Sequence, residues 1–166
     1  MEFERGDLEQ YGFRGFSKVS HVKSMGCEEI PERKGVYVVV RQNSHSSPDF
    51  LAKSIGGHFK GEDPTVARDE LKENWVENAY VLYIGKAGGS TLKATLFSRI
   101  KQYIDFGKGK NVGHKGGRFI WQLTDSDDLM IAWRPLTTEE PSDVETELIS
   151  EFRQKYGNRP FANLVK

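Results

Sequence analysis

Two phenols, one arginine and one inward-facing carboxylate are the groups in this sequence best placed to do chemistry. Tyr37 stands in Gly35-Val-Tyr-Val-Val-Val40 and Tyr83 in Tyr80-Val-Leu-Tyr-Ile-Gly-Lys86. Both runs are β-branched and aromatic, too short for a helix, and bounded by polar or glycine-containing sequence. With side chains alternating along a strand, Tyr37 shares a face with Val39, while Tyr83 shares one with Val81 and points away from Leu82 and Ile84. The two hydroxyls can then meet on one sheet surface, a pattern that also serves plain core packing. Arg99 and Tyr103, four residues apart, lie on the edge of a helical stripe that shelters the guanidinium, whose simplest role there is to cover the core edge with its stem. Glu145 falls near the middle of another buried stripe. A carboxylate there is costly unless satisfied, either by a capping box with Ser142 at the helix start or by a metal ion.

A cationic stretch adds a partner for phosphate. From Lys86 to Arg118 eight bases stand against the single acid Asp105. The glycine-rich loop 105–118, with Lys93, Lys101, Lys108, Lys110, His114, Lys115 and Arg118, suits nucleic-acid phosphates as well as a solvated face. Lys86 with Gly88 and Gly89 does not make a Walker-type phosphate loop, because the lysine precedes both glycines.

The elements that must position these groups begin with the two tyrosine strands. Between them, segment 42–79 is irregular: Asn43-Ser-His-Ser-Ser-Pro48 is loop chemistry, and Ile55-Gly-Gly57 and Gly61 break up the residues beyond it. Asp63-Pro64 predicts an N-cap and first turn for a helix running to Trp75. This insertion is a candidate carrier of specificity. Leu92, Leu96, Phe97, Ile100, Tyr103 and Ile104 recur at helical spacing and predict a helix over 92–104. Phe119–Leu123 fits a strand or a buried helical turn, and Leu129–Trp133 is the better strand. A last helix starts near Pro141-Ser142 and buries Val144, Leu148, Ile149 and Phe152, with Glu147 in solvent and Glu151 at the edge. Trp75, Trp121 and Trp133 read as core anchors. Residues 1–34 read as an extension packed on the domain, with at most a short helix.

Length and composition bound the answer. A chain of 166 residues holds one domain with a real core. Its 24 basic and 24 acidic residues cancel, so no bulk field draws it to nucleic acid or membrane. The charged start predicts neither signal peptide nor membrane span. Cys27, the single cysteine, allows no internal disulfide. Both features predict a cytoplasmic protein.

Gly35-Val36-Tyr37, Tyr83-Ile84-Gly85-Lys86, Arg99 with Tyr103, Glu145, then Pro160 and Asn163 occur in one order, and this order resembles the GIY-YIG endonuclease family. The resemblance covers roughly Gly35 to Asn163, sets a domain over 35–166, and implies an α/β (α+β) fold: a small mixed, largely antiparallel sheet of about three strands flanked by helices. It implies Tyr37 and Tyr83 as the site tyrosines, with Gly35, Gly85 and Asn163 as its structural residues. Lys86, Arg99 and Tyr103 would be further catalytic groups, and Glu145 the ligand of Mg²⁺ or Mn²⁺. Glu151 is the alternative carboxylate under a shorter spacing to Asn163. The implied activity is metal-dependent hydrolysis of DNA phosphodiesters, with RNA not excluded and monomer or homodimer open. Such hydrolysis needs a base for water, a cation for the charge growing on phosphate and an acid or metal for the leaving oxygen. A free phenol, with a pKa near ~10, is a poor base at neutral pH, and Lys86 with a metal would favour its phenolate. Either tyrosine fits as base. Two other classes compete: a catalytically silent nucleic-acid-binding or scaffold module on the same fold, and a thiol enzyme pairing Cys27 with His21, His45, His58 or His114.

Overall fold

The computed structural model describes residues 1–58, 60–112 and 116–164. Its centre is strand β2, Gly35–Val40, all six residues of which are buried. An unbroken apolar run is what a strand covered on both faces requires. Tyr37 and Val39 face one core, shared with helix α2 (Val19–Met25), helix α4 (Leu96–Gly107) and Trp121. Val36, Val38 and Val40 face the other, shared with helix α1 (Arg5–Gln10) and helix α5 (Pro141–Tyr156).

Four strands form the sheet, in the order β1 (Arg14–Lys18), β4 (Met130–Pro135), β2, β3 (Val81–Ala87), and every neighbouring pair is antiparallel. This corrects the expectation of about three strands in a mixed sheet. The added strand, β1, lies in the N-terminal extension, where at most a short helix was expected. Its sequence hides it. Gly15 and Phe16 both have positive φ, and the register with β4 shifts between Arg14 and Ser17, so no alternation survives. At Gly15 a Cβ would stand 2.4 Å from the Trp133 indole, so only glycine lets the chain cross that ring.

The second tyrosine strand also departs from simple alternation. Val39 pairs with Tyr83 but Val40 with Val81, so Leu82 is the extra residue of a bulge. Leu82 and Tyr83 consequently face the same core, and Val81 faces the opposite one. The expected sharing of a face by Tyr83 and Val81 is therefore reversed, although Tyr83 still meets Tyr37.

Two helices start later than their sequences suggest. Helix α3 spans Arg68–Asn74, not Pro64 onward. Asp63 accepts the Thr65 N–H as a cap would, but Gln122 accepts the Val66 N–H and donates to the Val66 carbonyl at 2.8 Å, so a tertiary partner takes an acceptor that a helical bond would use. Helix α4 begins at Leu96, where Thr95 and Ser98 form a capping box, and Leu92 is left outside, exposed. Arg118–Gln122 is a short 3₁₀ turn, resolving the strand-or-turn alternative. Met130–Pro135 and Pro141–Tyr156 fall where the sequence puts a strand and the last helix. Trp121 and Trp133 are buried, and Trp75 is half-buried against the same core. The insertion is bound by buried Arg41, which donates to Asp125 at 2.9 Å and to the Asn43 and Ser46 carbonyls and lies over Trp75.

Candidate active site

The cleft that gathers the sequence's candidate residues lies at the outer edge of the sheet. Strand β3 is the edge strand; α4 packs on the tyrosine face of the sheet and α5 on the opposite face. Alternation sends Tyr83 to one face and Lys86 to the other. At an edge, both reach one space. A cleft of about 380 Å³ is lined by Tyr83, Lys86, Gly88, Leu92, Lys93, Ala94, Arg99 and Glu145.

Tyr37 stands behind Tyr83, with ring centroids 6.0 Å apart. It is fully buried, and its hydroxyl has no hydrogen-bond partner among the described residues. The phenols influence each other's ionisation without reaching good hydrogen-bond geometry. Burial pushes the Tyr37 phenol up, while Arg99 and the Tyr83 hydroxyl pull it down. Burial, then Tyr37, then Glu145 push Tyr83 well above the ordinary tyrosine range, and Arg99 opposes them. Among the described residues Arg99 is the cation that lowers both phenols. Lys86 lines the same cleft but donates to Ser142 Oγ at 3.3 Å, and the tyrosine shifts do not come from it.

Arg99 is half-buried on the first turn of α4, and its Nη1 donates to Gln102 Oε1 at 2.9 Å. Gln102 escapes a reading of the sequence alone, although a spacing of three on a helix is its signal. Tyr103 does not line the cleft. It is fully buried, stacked on Tyr83 at 5.9 Å, with its hydroxyl donating to the Gly117 carbonyl at 2.9 Å. Its ring backs Tyr83 and its hydroxyl ties the glycine loop to α4.

Glu145 is 9% exposed on the wall contributed by α5. The capping box expected from Ser142 is absent, because the N-cap lies two residues earlier: Glu140 is the N-cap and Pro141 the first helical residue. Glu140 instead accepts the Ser90 N–H at 3.1 Å, tying the β3–α4 loop to the start of α5. Glu145 lines the cleft together with Arg99, Lys86 and Tyr83. No group of three or more His, Cys, Asp or Glu gathers among the described residues. The donor set on the cleft wall is a single carboxylate with room for water and phosphate, which fits Mg²⁺ or Mn²⁺ and not a fully protein-caged ion. Glu151 lies elsewhere, half-exposed toward the N-terminal amine.

The expected structural residues hold the strand that carries the site. Asn163 Oδ1 accepts the Ile84 N–H at 3.0 Å and Nδ2 donates to the Ile84 carbonyl at 2.9 Å, so one side chain satisfies both outward backbone groups of an edge residue. Beside it the Ala162 N–H donates to the carbonyl of the bulged Leu82. At Gly85 a Cβ would stand 2.5 Å from the Tyr37 ring, and at Gly35 it would strike the Arg134 carbonyl at 2.3 Å. Both glycines are close-approach positions.

The cationic stretch is divided by the fold. Lys86, Lys93 and Arg99 line the cleft. Lys101 and Lys110 pair with Asp105 at 2.8 and 3.7 Å. Burial of Asp105 opposes ionisation, but these lysines hold its carboxyl below the usual range. Lys108 is exposed, and Arg118 is half-buried with its Nε unpartnered among the described residues. His114 and Lys115 lie outside the described residues. Cys27 is buried, which pushes its thiol pKa up and disfavours the thiolate a thiol enzyme needs. Among the described residues no helix is long and apolar enough to cross a membrane. No family model, curated protein or solved structure matches this chain.

Proposed function

We propose that this protein is a divalent-metal-dependent endonuclease of the GIY-YIG type, hydrolysing phosphodiester bonds of DNA. The observation that carries the reading is the shared cleft: Tyr83, Lys86, Arg99 and Glu145, far apart in sequence, line one space at the edge of β3 with Tyr37 directly behind. Phenol, guanidinium and carboxylate together match the demands of phosphoryl chemistry better than those of a passive binding face.

In this reading a scissile phosphate enters between Arg99 and Lys86. The Arg99 fork takes the non-bridging oxygens, whose charge grows as water attacks phosphorus. One member of the pair, having lost its own proton to solvent beforehand, accepts as phenolate the proton of that water, which enters through Tyr83 at the cleft; the Tyr37 hydroxyl, without a hydrogen-bond partner among the described residues, is the inner member. Two phenols this close titrate as a unit, so the lost proton belongs to the pair. Glu145 holds the metal, which when bound supplies positive charge to the substrate phosphate and the departing oxygen. As the P–O bond to the leaving sugar breaks, that oxygen takes its proton from solvent.

The test is incubation of the protein with supercoiled plasmid and Mg²⁺ or Mn²⁺, beside Glu145→Gln verified as folded by circular dichroism. Nicking or linearisation by the parent, lost at least about a hundredfold in the variant, is the expected result. Cleavage by both would move the metal to another carboxylate. Salt-dependent DNA binding with no cleavage under any divalent metal would turn the reading to a silent nucleic-acid-binding module.

A further inference from the structure

One liner of the cleft does not fit a site made only for phosphate. Leu92 is 57% exposed, and among the exposed large apolar residues it is the one that lines the cleft. A lone surface leucine needs no explanation by itself, but this one stands among Lys86, Lys93, Arg99, Tyr83 and Glu145. Its loop is held before any substrate arrives. The Ser90 N–H is bonded to Glu140 Oε1 at 3.1 Å, and the Thr95 capping box fixes the other end to α4. Gly89 has φ +149°, a backbone conformation that side-chain-bearing residues rarely adopt, so glycine suits the point where the loop meets the Glu140 side chain.

Resting on the nuclease reading, we infer that Leu92 is a wedge that enters an opened base step beside the scissile phosphate, so that the preferred substrate is duplex DNA whose stacking is already interrupted. An aliphatic side chain flanked by cations is the composition of side chains that unstack DNA: the lysines neutralise phosphates on either side while the apolar group replaces a stacking neighbour. Lys93 is the adjacent residue and is itself exposed on the lip. Opening a step costs least where a bulge or mismatch has already broken the stack, and that difference becomes substrate selectivity. A loop pinned at both ends holds the wedge rigidly, so little ordering is lost on binding.

The experiment uses the full chain carrying Glu145→Gln, to bind without cutting. A fluorescent duplex and the same duplex with a single-nucleotide bulge are titrated by anisotropy, and a second pair carries 2-aminopurine in the step flanking the bulge. Expected are binding of the bulged duplex about tenfold tighter and a rise in 2-aminopurine fluorescence on binding. Adding Leu92→Ala should remove both, whereas Leu92→Phe should keep both. Equal binding of the two duplexes, or a rise that survives Leu92→Ala, overturns the wedge while leaving the nuclease reading intact. Binding of neither duplex overturns the nuclease reading, and the wedge with it.

Discussion

Tyr37, Tyr83 and Tyr103 form a row of packed rings at successive centroid distances of 6.0 and 5.9 Å. Burial is the first cause of the upward shift at each phenol. For a proton acceptor this sets a pH dependence with a definite sign. Because the phenols of the site ionise above the ordinary value of ~10, the reactive fraction grows about tenfold per pH unit across the neutral range. On the proposed nuclease reading, cleavage should therefore rise with slope near one from about pH 7 to pH 9, with no plateau between. Single-turnover rates on plasmid measure it, and Tyr37→Phe or Tyr83→Phe should flatten the profile. A plateau below about pH 8 would assign proton removal to another group. Arg99 is the compensating charge, since it lowers both site phenols.

At the scale of elements, the edge of β3 depends on one side chain from the far end of the chain. Asn163, buried at 7% exposure, occupies both backbone groups of Ile84 that would otherwise face outward from the sheet. Asn163→Ala leaves a buried N–H and C=O without partners, at a cost of about 1–3 kcal/mol for each unsatisfied group. The expected outcome is a lower urea midpoint, read by circular dichroism, with faster amide exchange at Ile84. Asn163→Asp should retain acceptance from the N–H and lose donation to the carbonyl, giving an intermediate loss. If Asn163→Ala unfolded at the parent's midpoint, the clamp would be no part of what holds the strand. Because Tyr83 and Gly85 flank Ile84, the same variant should also impair cleavage more than its stability loss explains.

The molecule as a whole includes its first residues as sheet and core, not as a loose leader. Strand β1 pairs along β4, and Phe3, Leu8, Phe13 and Phe16 fill the core on the α5 side. Burying four such side chains contributes about 1.5–3 kcal/mol each. That is comparable with the whole stability of an ordinary domain, ~5–15 kcal/mol. Removing residues 1–18 should therefore give a chain that does not unfold cooperatively and that associates through the bared edge of β4, as seen by size-exclusion chromatography and thermal melts. A truncated chain that stayed monomeric and melted like the parent would show residues 19–166 to be a self-sufficient unit.

The sequence by itself determined the parts whose signals are local. Gly35–Val40, Met130–Pro135 and Pro141–Tyr156 fall where apolar runs and helical spacing put them. The inward direction of Glu145 comes from its place on the stripe of Val144, Leu148 and Ile149. Tertiary structure decided the features that depend on a distant partner. Strand β1 exists because β4 offers it an edge, despite two successive positive-φ residues. The bulge at Leu82 turns a residue by one face to meet a core that alternation alone would not assign to it. Pro64 does not start α3 because Gln122, remote in sequence, donates to the Val66 carbonyl that an intrahelical bond would use. Leu92, a core residue by its period, stands in solvent because the capping box at Thr95 fixes where α4 begins. The cleft, too, is a tertiary product. Side chains from opposite faces of β3 share a space only because that strand is the last in the sheet, a property of strand order that no stretch of sequence encodes locally.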